Sequence, residues 1–86
     1  MSINECRNEI NGINDSLTKL FCRRMEIASL IADEKKKEGL PVYDKKREDE
    51  IVLNETAKVP EELKEYTEKF YRALFEITRL YENSKG

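Results

Sequence analysis

Apolar residues recur along the first third of the chain at alternating intervals of three and four, a spacing typical of one long helix that packs against other helices. They form a seam that consists of Ile3, Cys6, Ile10, Ile13, Leu17, Leu20, Ile27 and Ile31. Ser2 and Glu5 can form a capping box at its start, and Gly39 favours an end shortly before it. The sequence therefore predicts helix 1 over about residues 3–37.

Two further helices are predicted after a loop at about residues 38–43. Asp44 is a favourable N-cap, which predicts helix 2 over about residues 44–57. Pro60 suits the first position of a helix and predicts helix 3 over about residues 60–83. The apolar positions of helix 3 again follow a helical period; they are Leu63, Tyr66, Phe70, Leu74, Ile77 and Tyr81.

The predicted fold class is all-α, with three helices in the order long, short, long and no segment that alternates like a strand. A length of 86 residues favours a single domain over residues 1–86. Helix 1 would span roughly 50 Å, much longer than a compact domain of this size needs. Its apolar face cannot be covered by its own chain alone, so the pattern predicts a helical homodimer.

One position of the seam holds a charge where the spacing favours an apolar residue. Arg24 takes the slot between Leu20 and Ile27. Burying an unpaired guanidinium costs several kcal/mol, so Arg24 requires an anionic partner. Lys35 lies eleven residues further on and points to nearly the same side, about 16 Å along the helix. Two interpretations stay open: Arg24 pairs with a protein carboxylate and sets the helix register, or the two cations form the floor of an anion pocket.

Composition narrows the possible functions. Charged residues make up 40% of the chain, but the net charge is −2 and the isoelectric point about 5.3, which argues against a general nucleic-acid binder. Histidine is absent, and Cys6 and Cys22 lie too far apart on helix 1 to form a disulfide or to share a metal site. Two unpaired thiols favour a cytoplasmic location, and no apolar run is long enough for a signal peptide or a membrane span.

The polar residues that most need an explanation form an ordered set. They are Arg7, Asn14, Arg24, Lys35, Pro41, Val42, Asp44, Arg47, Glu48, Thr78 and Glu82. In order and spacing this set resembles the all-helical chorismate mutases. That family has an arginine early in helix 1, then an arginine and a lysine eleven residues apart, then a P-V-x-D-x-x-R-E string that leads into helix 2. A hydroxyl residue and, one turn later, a glutamine or glutamate complete the pattern in helix 3. The resemblance covers the chain from Ile3 to Glu82.

The resemblance implies conversion of chorismate, a small dianion, to prephenate without a cofactor or a metal. It also implies an intertwined homodimer in which Arg7 reaches the partner chain's site. The spacing fits this arrangement, because Arg7 lies about 25 Å from Arg24 and on a different side of helix 1. In the family's manner, the partner's Arg7, Arg24 and Arg47 would bind the two carboxylates of the substrate. Lys35 would donate to its ether oxygen.

Four other residues complete the site that the resemblance implies. Glu48 and the backbone near Asp44 would hold the ring hydroxyl of the substrate, and Thr78 would donate its hydroxyl to a carboxylate. Glu82 would lie beside the ether oxygen, where it can help only in its protonated form, because a carboxylate has no hydrogen to donate. The predicted catalytic residues are Arg24, Lys35 and Glu82.

Two alternatives remain open from the sequence. An isochorismate-pyruvate lyase shares this fold and much of the cationic set, although the string that contains Asp44, Arg47 and Glu48 follows the mutase pattern. A helical dimerisation module without catalysis would instead pair Arg24 with a protein carboxylate, and it would bind no small dianion.

Overall fold

The computed structural model describes residues 1–85, which form three α-helices joined by short connections. Helix α1 spans Ile3–Glu38, α2 spans Lys45–Thr56 and α3 spans Lys64–Ser84, and a 3₁₀ turn covers Glu61–Leu63. No strand occurs in residues 1–85, so the predicted all-α class with three helices is confirmed. None of these helices combines the length and apolarity that crossing a bilayer requires. The cytoplasmic location stays a prediction.

Local interactions fix both ends of α1. At the start, the Ser2 hydroxyl accepts from the Glu5 amide at 3.1 Å, and the Glu5 carboxylate accepts from the Ser2 amide at 3.3 Å. This reciprocal pair is the predicted capping box. At the end, Gly39 adopts a left-handed conformation with φ 71°, and the amides of Gly39 and Leu40 donate back to carbonyls of the last turn. Glycine adopts this conformation without the steric cost of a Cβ. The helix ends one residue later than predicted.

The start of α3 differs from the prediction that placed Pro60 at its first position. Pro60 is extended (φ −58°, ψ 152°), and its carbonyl accepts from the Leu63 amide at 2.9 Å, which closes a single 3₁₀ turn. Leu63 (φ −103°, ψ −4°) then departs from α-helical geometry. The regular helix therefore begins only at Lys64, and the prediction of a start at residue 60 is wrong by about one turn.

The hydrophobic core is small and lies toward one end of the molecule, where the C-terminal half of α1 meets α2 and α3. Its buried apolar members are Ala28, Ala32, Val52 and Phe75. All residues of α1 before Arg24 are exposed, including the seam residues Ile10 and Leu17 at 54% and 49%. The 36 residues of α1 correspond to about 54 Å, close to the longest dimension of the chain, 53 Å. More than half of α1 therefore stands clear of the other helices.

Candidate functional site

A cavity of about 280 Å³ opens where the C-terminal half of α1 meets the start of α2 and the second half of α3. Its charged lining residues are Arg24, Lys35, Asp44, Arg47, Glu48, Arg79 and Glu82. Four cations and three carboxylates give it a formal charge of +1 when all are ionised, although the whole chain carries −2. Ile27, Ile31 and Phe75 contribute an apolar wall. The cavity is thus suited to a small anion with an apolar body.

The cavity contains seven of the eight residues predicted for the site; the eighth, Arg7, lies elsewhere. Arg7 is exposed on the N-terminal part of α1, in a shallow depression that Ile3, Cys6 and Ile10 also line. A single chain therefore does not bring Arg7 to the cavity that contains Arg24. Its reach into a partner chain's site stays a prediction.

Arg24 is half-buried, and its contacts in the chain are neutral. Its Nη1 donates to the Thr78 hydroxyl at 3.0 Å, and its guanidinium lies 5.9 Å from the centre of the Phe75 ring. Within residues 1–85, no carboxylate lies within 4.0 Å of Arg24, whereas ten ion pairs form at other positions. A half-buried cation without a carboxylate at ion-pair distance favours the anion-pocket interpretation over the register interpretation.

Lys35 links α1 to the loop before α2. Its Nζ donates to the Val42 carbonyl at 3.0 Å, and Val42 also lines the cavity. The loop then turns into α2 at Asp44, whose carboxylate accepts from the Arg47 amide at 3.0 Å and caps the helix. The P-V-x-D-x-x-R-E string therefore supplies one wall of the cavity through an N-cap and a lysine–carbonyl bond.

Two charged residues of the first turn of α2, Arg47 and Glu48, differ in how tightly their side chains are held. The Arg47 side chain is 62% exposed and has only a loose contact, 3.8 Å, with Glu50. The Glu48 side chain is 15% exposed and forms an ion pair with Arg79 of α3. Arg47 can thus reorient toward a ligand at little cost, whereas Glu48 is held.

Thr78 is buried on α3, and its hydroxyl already forms hydrogen bonds within the protein. It donates to the Leu74 carbonyl at 2.7 Å and accepts from Arg24 at 3.0 Å. Because a hydroxyl carries one proton, Thr78 must turn away from Leu74 before it can donate to a ligand. The geometry supports a role for the Thr78 hydroxyl in orienting Arg24. The sequence did not suggest this role.

Glu82 is the one buried carboxylate among residues 1–85, with 8% of its surface exposed. Burial raises the pKa of Glu82 above its ordinary value, and this effect outweighs the lowering by Lys35 and Arg24 of α1. Glu48 of α2 also raises the pKa of Glu82, while Arg79 of α3 lowers it. The sequence did not decide whether the effects that raise or those that lower the pKa of Glu82 are larger. In the structure the raising effects are larger, so Glu82 stays protonated to a higher pH than an exposed glutamate.

Arg79 is a cavity residue that sequence reasoning missed. Its guanidinium forms an ion pair with Glu48 and lies 4.8 Å from the centre of the Tyr43 ring. A signal was present, because Arg79 stands four residues after Phe75 and three before Glu82 and so shares their face of α3. The family pattern that identifies the other residues does not include this position.

Comparison with known families places the chain in a described family. The family model described as chorismate mutase type II matches residues 6–83, a range that includes the cavity and most of the exposed part of α1. Comparisons with curated proteins and with solved structures gave no significant match. The family match confirms the resemblance that the ordered set of polar residues indicated.

We expect Glu82→Gln to stabilise the fold near neutral pH and to have little effect in acid. Below about pH 4.3, the ordinary value for glutamate, both folded and unfolded chains hold the proton, so the substitution changes little. Between that value and the raised pKa of Glu82, the folded parent binds the proton more tightly than the unfolded chain does, so the parent loses stability as pH rises and the amide variant does not. Denaturation midpoints measured between pH 4 and pH 8 would show a gain that grows with pH and levels off above the raised pKa. Glu76→Gln, an exposed change on the same helix, is the control; equal profiles for both variants would contradict the expectation.

Proposed function

The chain belongs to the chorismate mutase type II family, and on that premise we propose that it rearranges chorismate to prephenate in the cavity described above. The reaction breaks an ether C–O bond and forms a C–C bond within one molecule. No proton transfer and no nucleophile are required. Catalysis can therefore come from holding the folded conformer and from stabilising the charge that develops in the transition state. A cavity of arginines and a lysine, in a chain without histidine, suits such a reaction.

The observation that carries the proposal is the state of Arg24. Its guanidinium is half-buried, faces the cavity and has the Thr78 hydroxyl and the Phe75 ring as neighbours, with no carboxylate of residues 1–85 at ion-pair distance. A substrate carboxylate would supply the missing anion, and the planar fork can bind it through two hydrogen bonds. A dimerisation module would instead pair Arg24 with a carboxylate of the protein, and none of residues 1–85 supplies one at ion-pair distance within the chain.

Lys35 is the proposed donor to the ether oxygen of the substrate. Its ammonium has three N–H donors, and one of them donates to the Val42 carbonyl. Lys35 can therefore keep the bond that positions it and still donate to an oxygen on which negative charge grows. Arg47, exposed and loosely paired, would swing toward the second carboxylate, and Glu48 would accept from the ring hydroxyl.

Glu82 would assist Lys35 from the opposite wall of the cavity. Only a protonated carboxyl can donate to the ether oxygen, and an ionised one would repel the growing charge. Burial in the ligand-free chain already shifts the pKa of Glu82 in the required direction. A bound dianion would raise this pKa further, because it places negative charge close to the carboxyl.

We further propose that the working form is a homodimer in which Arg7 completes the partner chain's site. The exposed seam residues of α1, such as Ile3, Ile10, Ile13 and Leu20, form an apolar stripe along about half of the helix. A second copy that crosses this stripe would bury it. It would also bring an arginine to each cavity from about 25 Å away, a distance that the same chain cannot bridge.

Removal of either cavity cation of α1 should impair catalysis far more than it impairs folding. Arg24→Ala and Lys35→Ala should each lower kcat/KM for chorismate by about 100-fold or more, the scale for removing a preorganised donor. Lys35→Arg should also be poor, because a planar fork does not replace a compact ammonium. Steady-state kinetics on folded protein would measure these losses.

Each of these variants has a matched control in the neighbouring residue. Arg23→Ala and Lys36→Ala remove exposed cations of the same helix that do not line the cavity, and they should leave kcat/KM within about twofold of the parent. Full activity in both Arg24→Ala and Lys35→Ala would rule out the proposed chemistry.

The shared site predicts that two defective variants can rescue each other. Arg7→Ala and Lys35→Ala should each be nearly inactive alone, because each homodimer lacks one residue at both sites. Mixed dimers hold one site with both residues intact, so random reassortment should restore about a quarter of the parent activity. The measurement is activity after the two variants are unfolded together and refolded. Absence of recovery, with mixed dimers demonstrated by native mass spectrometry, would show that Arg7 does not serve the partner.

The pH dependence of kcat/KM tests the role of Glu82. Activity should fall as pH rises through the pKa of Glu82, which burial raises, because the ionised form cannot donate to the ether oxygen. Glu82→Gln should flatten this profile and increase activity at high pH. Rate profiles that superimpose for the parent and Glu82→Gln would remove Glu82 from the mechanism.

A further inference from the structure

The ion pair between Arg79 and Glu48 joins two walls of the cavity. Arg79 lies on α3 and Glu48 on the first turn of α2, and both line the cavity. Their side chains are 29% and 15% exposed, which makes this the most buried of the ion pairs in residues 1–85. The contact joins Nη1 of Arg79 to one oxygen of Glu48, Oε2. The other carboxylate oxygen, Oε1, accepts no hydrogen bond from residues 1–85.

Arg79 is itself restrained by the loop between α1 and α2. The Tyr43 ring lies 4.8 Å from the guanidinium carbon, within the range of a cation–π contact. Tyr43 follows Val42, whose carbonyl accepts from Lys35 of α1. The position of the Glu48 carboxylate is therefore determined by contacts that involve all three helices.

The ion pair with Arg79 determines which ligand groups can bind to Glu48. A carboxylate that is paired with a guanidinium accepts hydrogen bonds and donates none. A ligand group that faces its remaining oxygen must therefore carry a hydrogen, as a hydroxyl does. A ligand with no donor at this place would cover that oxygen without giving it a hydrogen bond, which lowers the affinity for such a ligand.

We propose that Arg79 is a positioning residue that fixes Glu48 as a hydroxyl acceptor and so makes the cavity select a dianion with a ring hydroxyl over the same dianion without it. This inference rests on the proposed function, because it takes the ligand to be a chorismate-like dicarboxylate. The recognition itself is made by Glu48, and Arg79 acts through that residue.

A second ion pair provides a matched control for a purely structural role. Arg72 and Asp49 also join α3 to α2, with Nη2 2.9 Å from Oδ1. Asp49 is the residue after Glu48, and Arg72 lies two turns before Arg79 on α3. Neither Arg72 nor Asp49 lines the cavity. Loss of this pair removes a similar bridge between the same helices without touching the site.

The test measures binding of two probes by calorimetry. The probes are rigid bicyclic ether dicarboxylates shaped like the folded substrate, one with the ring hydroxyl and one without it. The parent should prefer the hydroxylated probe by about tenfold or more, the scale of a hydrogen bond to a charged group. Arg79→Met should reduce this preference to about threefold or less, Arg79→Lys should retain part of it, and Arg72→Met should leave it unchanged.

A double variant tests whether Arg79 acts through Glu48. In a Glu48→Leu background, Arg79→Met should change the preference by less than about twofold, because the acceptor that it positions is gone. An equal loss of affinity for both probes in Arg79→Met would mean that Arg79 binds the anionic part directly and would overturn the inference. If Arg72→Met lost the preference to the same extent as Arg79→Met, the ion pair of Arg79 with Glu48 would have a structural role only. That result would also overturn the inference.

Chorismate turnover by the parent separates this inference from the proposed function. If the parent makes prephenate but shows no preference between the probes, the inference fails and the proposed function stands. If the parent neither converts chorismate nor binds either probe, the proposed function fails and the inference falls with it.

Discussion

The site depends on one half-buried guanidinium that no carboxylate of residues 1–85 neutralises. Arg24 stands where the seam of α1 would otherwise continue with an apolar residue, and its neighbours are the Thr78 hydroxyl and the Phe75 ring. Both contacts hold the guanidinium in place without cancelling its charge. The cavity therefore stays attractive to an anion, and the desolvation of Arg24 is offset when a carboxylate binds. A carboxylate in place of Thr78 would pair with Arg24 and compete with an anionic ligand.

The other charged residues of the cavity differ in how firmly neighbouring residues hold their side chains. Lys35 is held by the Val42 carbonyl and Glu48 by Arg79, and both residues line the cavity. Arg47 is exposed and loosely paired, which suits a group that closes onto a ligand. Glu82 is buried among these charges, and desolvation keeps its pKa raised. Preorganised donors with one adaptable cation match a reaction that requires positioning and charge stabilisation.

The sequence predicted much of the fold and of the site because both depend on helical periodicity. The eleven-residue spacing places Arg24 and Lys35 in one cavity, and the capping box predicts the start of α1. The sequence did not predict the features that depend on turn geometry or on contacts between helices. The 3₁₀ turn after Pro60 depends on local dihedral angles, and the pairing of Arg79 with Glu48 joins residues 31 positions apart. No pattern within one helix encodes such a contact.

Proton NMR of the reaction mixture would show whether the cavity rearranges chorismate. Chorismate and prephenate are isomers, so spectra that resolve their vinylic protons identify the product as well as the loss of substrate. We expect the folded chain to convert chorismate to prephenate, with no pyruvate released from chorismate or isochorismate. Unchanged chorismate, or release of pyruvate from isochorismate by the same protein, would rule out the proposed mutase.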